Sequence, residues 1–264
     1  MKKFIWKIQK NKLKKSNLFK YSKFLKKNLN KNFLTKYQAM WNWSIKNHIE
    51  FWKSIWDFTG IKGEMGENLF EKSEIFFKNK FFPEAKLNFA ENLLCKDDNT
   101  EAIVFKSENG YRESISWKQL NVNVIKFADW LIKKNIKKGD RVVAYLPNII
   151  ETVTAFLSTS SIGAIWSSCS PDFGSTGVID RFSQIKPKVL LIVDKYYYNG
   201  KEINVLERLD QIIKHVPSIK DIIIISYPGE TFKQKKKVKD RHLHIWKDIL
   251  AVPKVKKFEF IKNN

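Results

Sequence analysis

Between residues 141 and 226 the chain repeats one pattern: a short apolar run, a segment with helical spacing, then another short apolar run. The runs are Arg141–Leu146, Ala164–Ser168, Val189–Val193 and Ile222–Ser226. Each is too short for a helix; Arg141–Leu146, ended by Pro147, reads as a buried strand and the other three as further strand candidates. Between them, Ile149–Ile162, Val178–Ile185 and Asn204–Val216 predict helices. In the last, Val205, Leu209, Ile212, Ile213 and Val216 share one face. Strands joined by single helices pair through crossovers, so they run parallel and carry the helices on the sheet faces. The expected class is α/β.

Upstream, Glu101–Phe105 and Tyr111–Trp117 read as strands joined through Asn109-Gly110, a pair that accepts the positive φ of a tight hairpin. Ser116 and Gln119 stand at capping-box spacing ahead of Leu120, Val124, Phe127, Ala128, Leu131 and Ile132. An amphipathic helix to about Lys134 follows from that spacing. Residues 37–94 are dense in aromatics at irregular spacing, among them Trp41, Trp43, Trp52, Trp56, Phe76, Phe77, Phe81 and Phe82. They suit a helical layer whose rings fill a contact. A length of 264 residues holds one large domain or two modest ones.

Charge decides less than its size implies. The formal charge is +22, yet 14 lysines and no acid fall in residues 1–49, the first carboxylate being Glu50. Only five of 49 basic residues are Arg, the side chain suited to bidentate phosphate and base contacts. A diffuse lysine field raises nonspecific affinity without specifying a site, so no specific nucleic-acid partner is expected. A polyanion-binding role for residues 1–49 remains a third reading. Two isolated cysteines, Cys95 and Cys169, exclude a disulfide framework or a Cys-based zinc cluster and fit a cytoplasmic protein. The amino terminus lacks the apolar core of a secretory signal. Thr152–Pro171 is uncharged, but nine Ser and Thr make it too polar for a membrane span.

Most catalytic signatures are missing: G-x-x-x-x-G-K-[ST], G-x-G-x-x-G, G-x-S-x-G and H-E-x-x-H do not occur. His242 and His244 fall on one face of a strand, yet without a cysteine or acid cluster in sequence they read as surface histidines, and no metal site is expected. The Lys235–Lys239 run reads as a solvated loop or a polyanion patch. Two segments between a strand and a helix are candidate anion sites: Cys169–Arg181, with Ser, Pro, Asp and two Gly, and Tyr196-Tyr-Tyr-Asn-Gly-Lys201. On the residues alone the first reads sooner as an ordinary βα loop and the second as a turn with a solvated Lys.

Several words resemble the amino-terminal part of acetoacetyl-CoA synthetases, members of the acyl-adenylate-forming ligases. They are Phe51-Trp-Lys-Ser-Ile-Trp-Asp-Phe58, Leu87-Asn-Phe-Ala-Glu-Asn-Leu-Leu94, Gly139-Asp-Arg-Val-Val-Ala-Tyr-Leu-Pro147, Gly163-Ala-Ile-Trp166, Ser170-Pro-Asp-Phe-Gly174, Asp180-Arg-Phe-Ser-Gln-Ile-Lys-Pro-Lys188 and Tyr198-Asn-Gly-Lys-Glu202. The resemblance implies a helical amino-terminal cap in residues 1–98. Residues 99–264 then form the first part of the ligase domain, a βαβ-type subdomain with a mainly parallel sheet, as an incomplete part of the adenylate-forming fold. It implies ATP, magnesium and CoA for the complete enzyme and no cofactor held by this chain alone. Ser170, Asp172, Phe173 and Gly174, with Asn199, Gly200 and Lys201, would form the CoA side of the site. In related acetyl-CoA synthetases the second of these loops presents Arg to the CoA phosphates, where this chain has Tyr198 and Lys201. The family's phosphate loop and catalytic Lys have no counterpart, so no residue is named catalytic, and the expected partner is the missing carboxy-terminal part. The alternatives are a noncatalytic partner-binding or scaffold module and a fragment of another short-chain acyl-CoA synthetase.

Overall fold

The structure is a computed structural model that describes residues 9–33, 36–231, 238, 240–252 and 260–262. Apart from Val238, the Lys235–Lys239 run lies outside the described residues. The chain divides into two compact units between Lys86 and Leu87.

The first unit begins with helices α1 (Lys10–Lys15), α2 (Asn17–Leu29), α3 (Tyr37–Lys46) and α4 (His48–Thr59). The Ser16 hydroxyl accepts the Phe19 N–H at 3.2 Å and caps α2, while Asn30 and Gly60 end α2 and α4 in the left-handed conformation. Tyr21, Leu25, Met40 and Trp43 are buried, with Phe24, Phe51 and Phe58 packed against them. The Tyr21 and Ser54 hydroxyls share a buried hydrogen bond of 2.6 Å and the Trp43 indole N–H donates to Glu50 at 3.0 Å, so these polar ends of the aromatic cluster are satisfied. The helical layer expected through residue 94 is interrupted after Thr59. Four two-residue strands follow: β1 (Gly63–Glu64), β2 (Phe70–Glu71), β3 (Lys80–Phe81) and β4 (Lys86–Leu87). Gly66 turns at φ +82, and the Glu84 carboxylate accepts the Glu67 and Asn68 N–H groups at 2.9 and 3.2 Å, a local alternative to helix.

The second unit opens with α5 (Phe89–Leu93), the antiparallel hairpin β5 (Glu101–Lys106) and β6 (Arg112–Ser116), and α6 (Trp117–Lys133). Ser116 caps α6 through the Gln119 N–H at 3.2 Å; the Gln119 side chain reaches forward to Asn123 at 2.7 Å, so only one arm of the capping box forms. Then follow β7 (Arg141–Tyr145), α7 (Ile150–Ser161), β8 (Ile165–Cys169), α8 (Ser175–Ile185), β9 (Val189–Val193), β10 (Lys195–Tyr198), β11 (Lys201–Asn204), α9 (Leu209–His215), β12 (Asp221–Ile225), β13 (His242–Ile245) and α10 (Trp246–Leu250). The helix expected from Asn204 begins five residues later, because 195–204 form a hairpin instead. β13 agrees with the strand read for His242 and His244, but that strand had not been placed among those of the sheet.

Five strands form one sheet in the order β13-β12-β9-β7-β8, every pair parallel. β7 starts inside; the chain steps out to β8, crosses back over β7 to β9, and then grows the other way through β12 and β13. Right-handed crossovers therefore place α7 on one face and α8 and α9 on the other. The observed packing agrees, α7 lying on α6 and α8 on α9. β9 and β12 are buried along their whole length. The serines and threonines of α7 suit the α6 contact: Ser158 Oγ donates to Val124 O at 2.9 Å, and Thr154 and Ser161 return their hydroxyls to the helix backbone. Among the described residues no helix is long and apolar enough to cross a membrane. Asn88 is buried beside α7: its amide donates to Ser160 O, Ser161 O and Ile261 O at 3.0, 3.1 and 2.7 Å, and its Oδ1 caps α5.

A cavity of about 620 Å³ opens between β6, α6, α7 and α10, lined by Glu113, Gln119, Lys126, Glu151 and Lys247 among others. Glu151 stands in the first turn of α7, its Oε2 sealed from solvent and without a hydrogen-bond partner among the described residues. Burial lifts its pKa from 4.5 to about 7, with Glu113 adding to the rise and Lys247 opposing it. The folded chain thus keeps a proton that the unfolded chain releases, and this contribution to stability is complete below pH 4.5 and lost as pH rises through 7. It amounts to about 3 kcal/mol. Glu151→Gln should match the parent near pH 4.5 and exceed it by about 1–3 kcal/mol at pH 8 in urea unfolding; equal pH dependence in both proteins would contradict the assignment.

Candidate functional site

Ligands of open parallel sheets sit beyond the carboxyl ends of the strands, where the strand order reverses. Here the reversal lies between β7 and β9. Around it emerge Leu146–Asn148 from β7, Ser170–Gly174 from β8, and Asp194 with the β10–β11 hairpin from β9.

Residues 170–174 are held from several sides. Ser170 Oγ donates to Asp172 Oδ2 at 2.6 Å, and Tyr196 Oη donates to Asp172 Oδ1 at 3.0 Å. Burial and the Asp172 carboxylate push the Tyr196 phenol up to about 12, so it stays a donor. Tyr145, the last residue of β7 and fully buried, donates its hydroxyl to Pro171 O at 3.2 Å and to Phe173 O. Arg208 Nη1 donates to Pro171 O at 2.8 Å, to Phe173 O at 3.1 Å and to the Tyr145 hydroxyl. The Phe173 ring is exposed, with the Arg181 guanidinium 4.5 Å from its centroid. Gly174 then leads into α8, whose first N–H groups and dipole point past the loop and favour an anion.

Asp194 organises the other side. Its Oδ1 accepts the Lys195 and Tyr227 N–H groups, both at 2.8 Å, its N–H donates to Ile225 O at 3.0 Å, and its carbonyl accepts Val205 and Leu206 N–H groups at 2.9 and 3.2 Å. One residue thereby releases the hairpin from β9 and receives the chain back toward α9. Burial raises its carboxyl pKa, while the two side-chain-bound amides hold it down. Within the hairpin, Lys195 bridges Glu202 and Glu230 at 2.8 and 2.5 Å, and the Tyr197 hydroxyl reaches both acids at 2.9 Å.

The site residues named from sequence fall into two groups. Ser170, Asp172, Phe173 and Gly174 form one loop. Asn199 and Gly200, at φ 51 and 71, form the exposed tip of the hairpin, where Gly200 N–H donates to Glu108 at 3.2 Å and Lys201 is exposed. Tyr196 links the two, since it sits in β10 and binds Asp172. Tyr196 stood inside the second anion candidate, but its bond to Asp172, 24 residues away, was not foreseen. Tyr145, Asp194 and Arg208 escaped the sequence reading because they bind segments remote in the chain; the acid directly after the apolar Val189–Val193 run was the available signal for Asp194. Other resemblance words lie at the opposite, amino-terminal end of the strands. Asp140 accepts Lys188 Nζ at 2.7 Å, and Arg141 donates to Ile185 O and Lys186 O at 2.6 and 3.0 Å. His242 and His244 do have an acid: Asp221 of β12 meets His244 Nε2 at 2.8 Å and Lys134 at 3.2 Å. Burial lowers the His244 pKa. Among the described residues no group of three or more His, Cys, Asp or Glu gathers to hold a metal.

Comparison with known proteins matches residues 92–257 to the family described as AMP-binding enzyme. Acetoacetyl-CoA synthetase of Xenopus tropicalis is 41% identical over 198 residues, 74% of this chain and 30% of that protein. Acetoacetyl-coenzyme A synthetase of Rhizobium meliloti (strain 1021) is 40% identical over 195 residues, again 74% of this chain and 30% of that protein. Among solved structures, acetoacetyl-CoA synthetase from Streptomyces lividans aligns with a TM-score of 0.85 at 26% identity, covering 97% of this chain and 39% of that one. The chain spans under a third of the length of these curated relatives.

The Asp194 geometry predicts a sharp difference between two substitutions. Asp194→Ala strands two backbone donors and should cost roughly 2–3 kcal/mol in urea unfolding, whereas Asp194→Asn keeps an acceptor and should cost about 1 kcal/mol or less.

Proposed function

Because the chain belongs to the AMP-binding enzyme family, we propose that it supplies the CoA-side wall of a ligase that joins acetoacetate to CoA. The complete enzyme would use ATP and magnesium to form acetoacetyl-adenylate with release of pyrophosphate, after which the CoA thiolate displaces AMP. In this reading residues 1–98 are the cap, residues 99–264 are the first part of the ligase domain, and the protein works in the cytoplasm. Ser170, Asp172, Phe173 and Gly174 face CoA, with Asn199, Gly200 and Lys201 on the phosphate side. The observation that carries the reading is the Ser170–Gly174 loop: it stands at the carboxyl end of β8, beside the strand-order reversal, and is tied down before any ligand arrives.

Adenylyl transfer depends on cations and backbone donors placed around the phosphates. The sequence holds no Ser/Thr/Gly-rich loop ending in Lys, and no acid cluster for a metal gathers among the described residues. The complementary machinery would come from the carboxy-terminal part of a ligase. The 264-residue chain with acetoacetate, ATP, magnesium and CoA should therefore release no pyrophosphate above the buffer rate. Sustained turnover by the purified chain would contradict the proposal.

A further inference from the structure

Three acceptors converge on a single nitrogen at the mouth of the sheet. Arg208 closes the 3-10 turn Leu206–Arg208, and its Nη1 alone donates to Pro171 O, Phe173 O and the Tyr145 hydroxyl. Its guanidinium carbon also lies 5.9 Å from the centroid of the Tyr145 ring. Pro171 and Phe173 flank Asp172, whose own carboxylate is held by Ser170 and Tyr196. Of these anchors, Arg208 joins the two loop carbonyls to the end of β7 from an element that otherwise belongs to the far side of the strand-order reversal. Without it, two carbonyls of an exposed loop would exchange one fixed donor for water, and the Asp172–Gly174 backbone would lose its fixed direction ahead of α8.

We propose that Arg208 is the positioning residue of the Ser170–Gly174 loop. It sets the loop's shape from behind, through carbonyls, and does not itself grip the ligand. That the loop meets CoA rests on the function proposed above. Because all three bonds leave one nitrogen, an ammonium with three hydrogens on one atom can replace the guanidinium, which a bidentate anion contact would not allow.

Amide hydrogen exchange of the 264-residue chain at Asp172 and Phe173, whose N–H groups donate to Ser170, read beside CoA titration by calorimetry, tests this. Arg208→Met should speed exchange at those amides by about tenfold or more while amides of β9 and β12 keep their protection, which shows that the fold survives. Arg208→Lys should return exchange to within about threefold of the parent, and Tyr145→Phe should give an intermediate rate. CoA affinity should follow the same order across the three variants. Unchanged loop exchange in Arg208→Met would overturn the proposal whether or not CoA binds. Parent-like exchange in Arg208→Lys together with a tenfold loss of CoA affinity would also overturn it, by making Arg208 a direct ligand. If the loop responds as stated but the parent chain binds no CoA, positioning stands and the CoA reading fails.

Discussion

The sheet reverses its direction of growth at β7, and the layering of the second unit around that sheet follows from the reversal. A right-handed crossover sends α7 to one face as the chain steps to β8, and the return to β9 sends α8 and α9 to the other. The two loops that leave β8 and β9 can then face one another across the end of β7 without a helix between them. Tyr145 occupies that end, fully buried, and its hydroxyl is the point where the loop after β8 meets Arg208. With a sheet that grew in one direction only, Pro171 and Arg208 would have no common neighbour.

The two ends of the strands do different work. At the amino-terminal end, Gly139 takes a positive φ, Asp140 pairs with Lys188, and Arg141 binds the carbonyls that close α8. Burial works against the Asp140 carboxylate, yet Lys188 and the Lys137 N–H hold its pKa below the ordinary value. These contacts fix the register of β7 against β9. At the carboxyl end the same strands give way to exposed loops, with side chains spent on holding backbone in place. Several sequence words shared with the adenylate-forming ligases thus serve the sheet's frame, and the Ser170–Gly174 word serves its open edge. Asn88 makes the same point in the Leu87–Leu94 word, where one amide caps α5 and joins two stretches of chain.

Much of the sheet was legible because buried parallel strands must be short and apolar, and Val189–Val193 and Asp221–Ile225 are both buried throughout. β13 was legible as a strand from the His-Leu-His spacing but not as part of the sheet, since His242-Leu-His-Ile245 is an edge strand with a polar face and its acid partner Asp221 lies 23 residues from His244. The β10–β11 hairpin was missed although Asn199-Gly200 is the same dipeptide that read correctly at Asn109-Gly110; the neighbouring tyrosines and lysines hid the alternation that marks strands. The loop at 170–174 was visible as Ser, Pro, Asp and Gly after an apolar run. Its supports were not, because Tyr145 and Arg208 stand 26 and 37 residues from Pro171 and only the reversed strand order brings them together.

In the function proposed here, this sheet presents a wall for CoA and no grip for a nucleoside triphosphate. Amide chemical-shift mapping of the isotopically labelled chain, titrated in parallel with CoA and with magnesium ATP, separates these two ligands. CoA should move resonances of residues 170–175 and 198–201, while magnesium ATP at equal concentration should leave them in place. Nucleotide shifts centred on those loops, or CoA shifts confined to the Glu151 cavity, would contradict it.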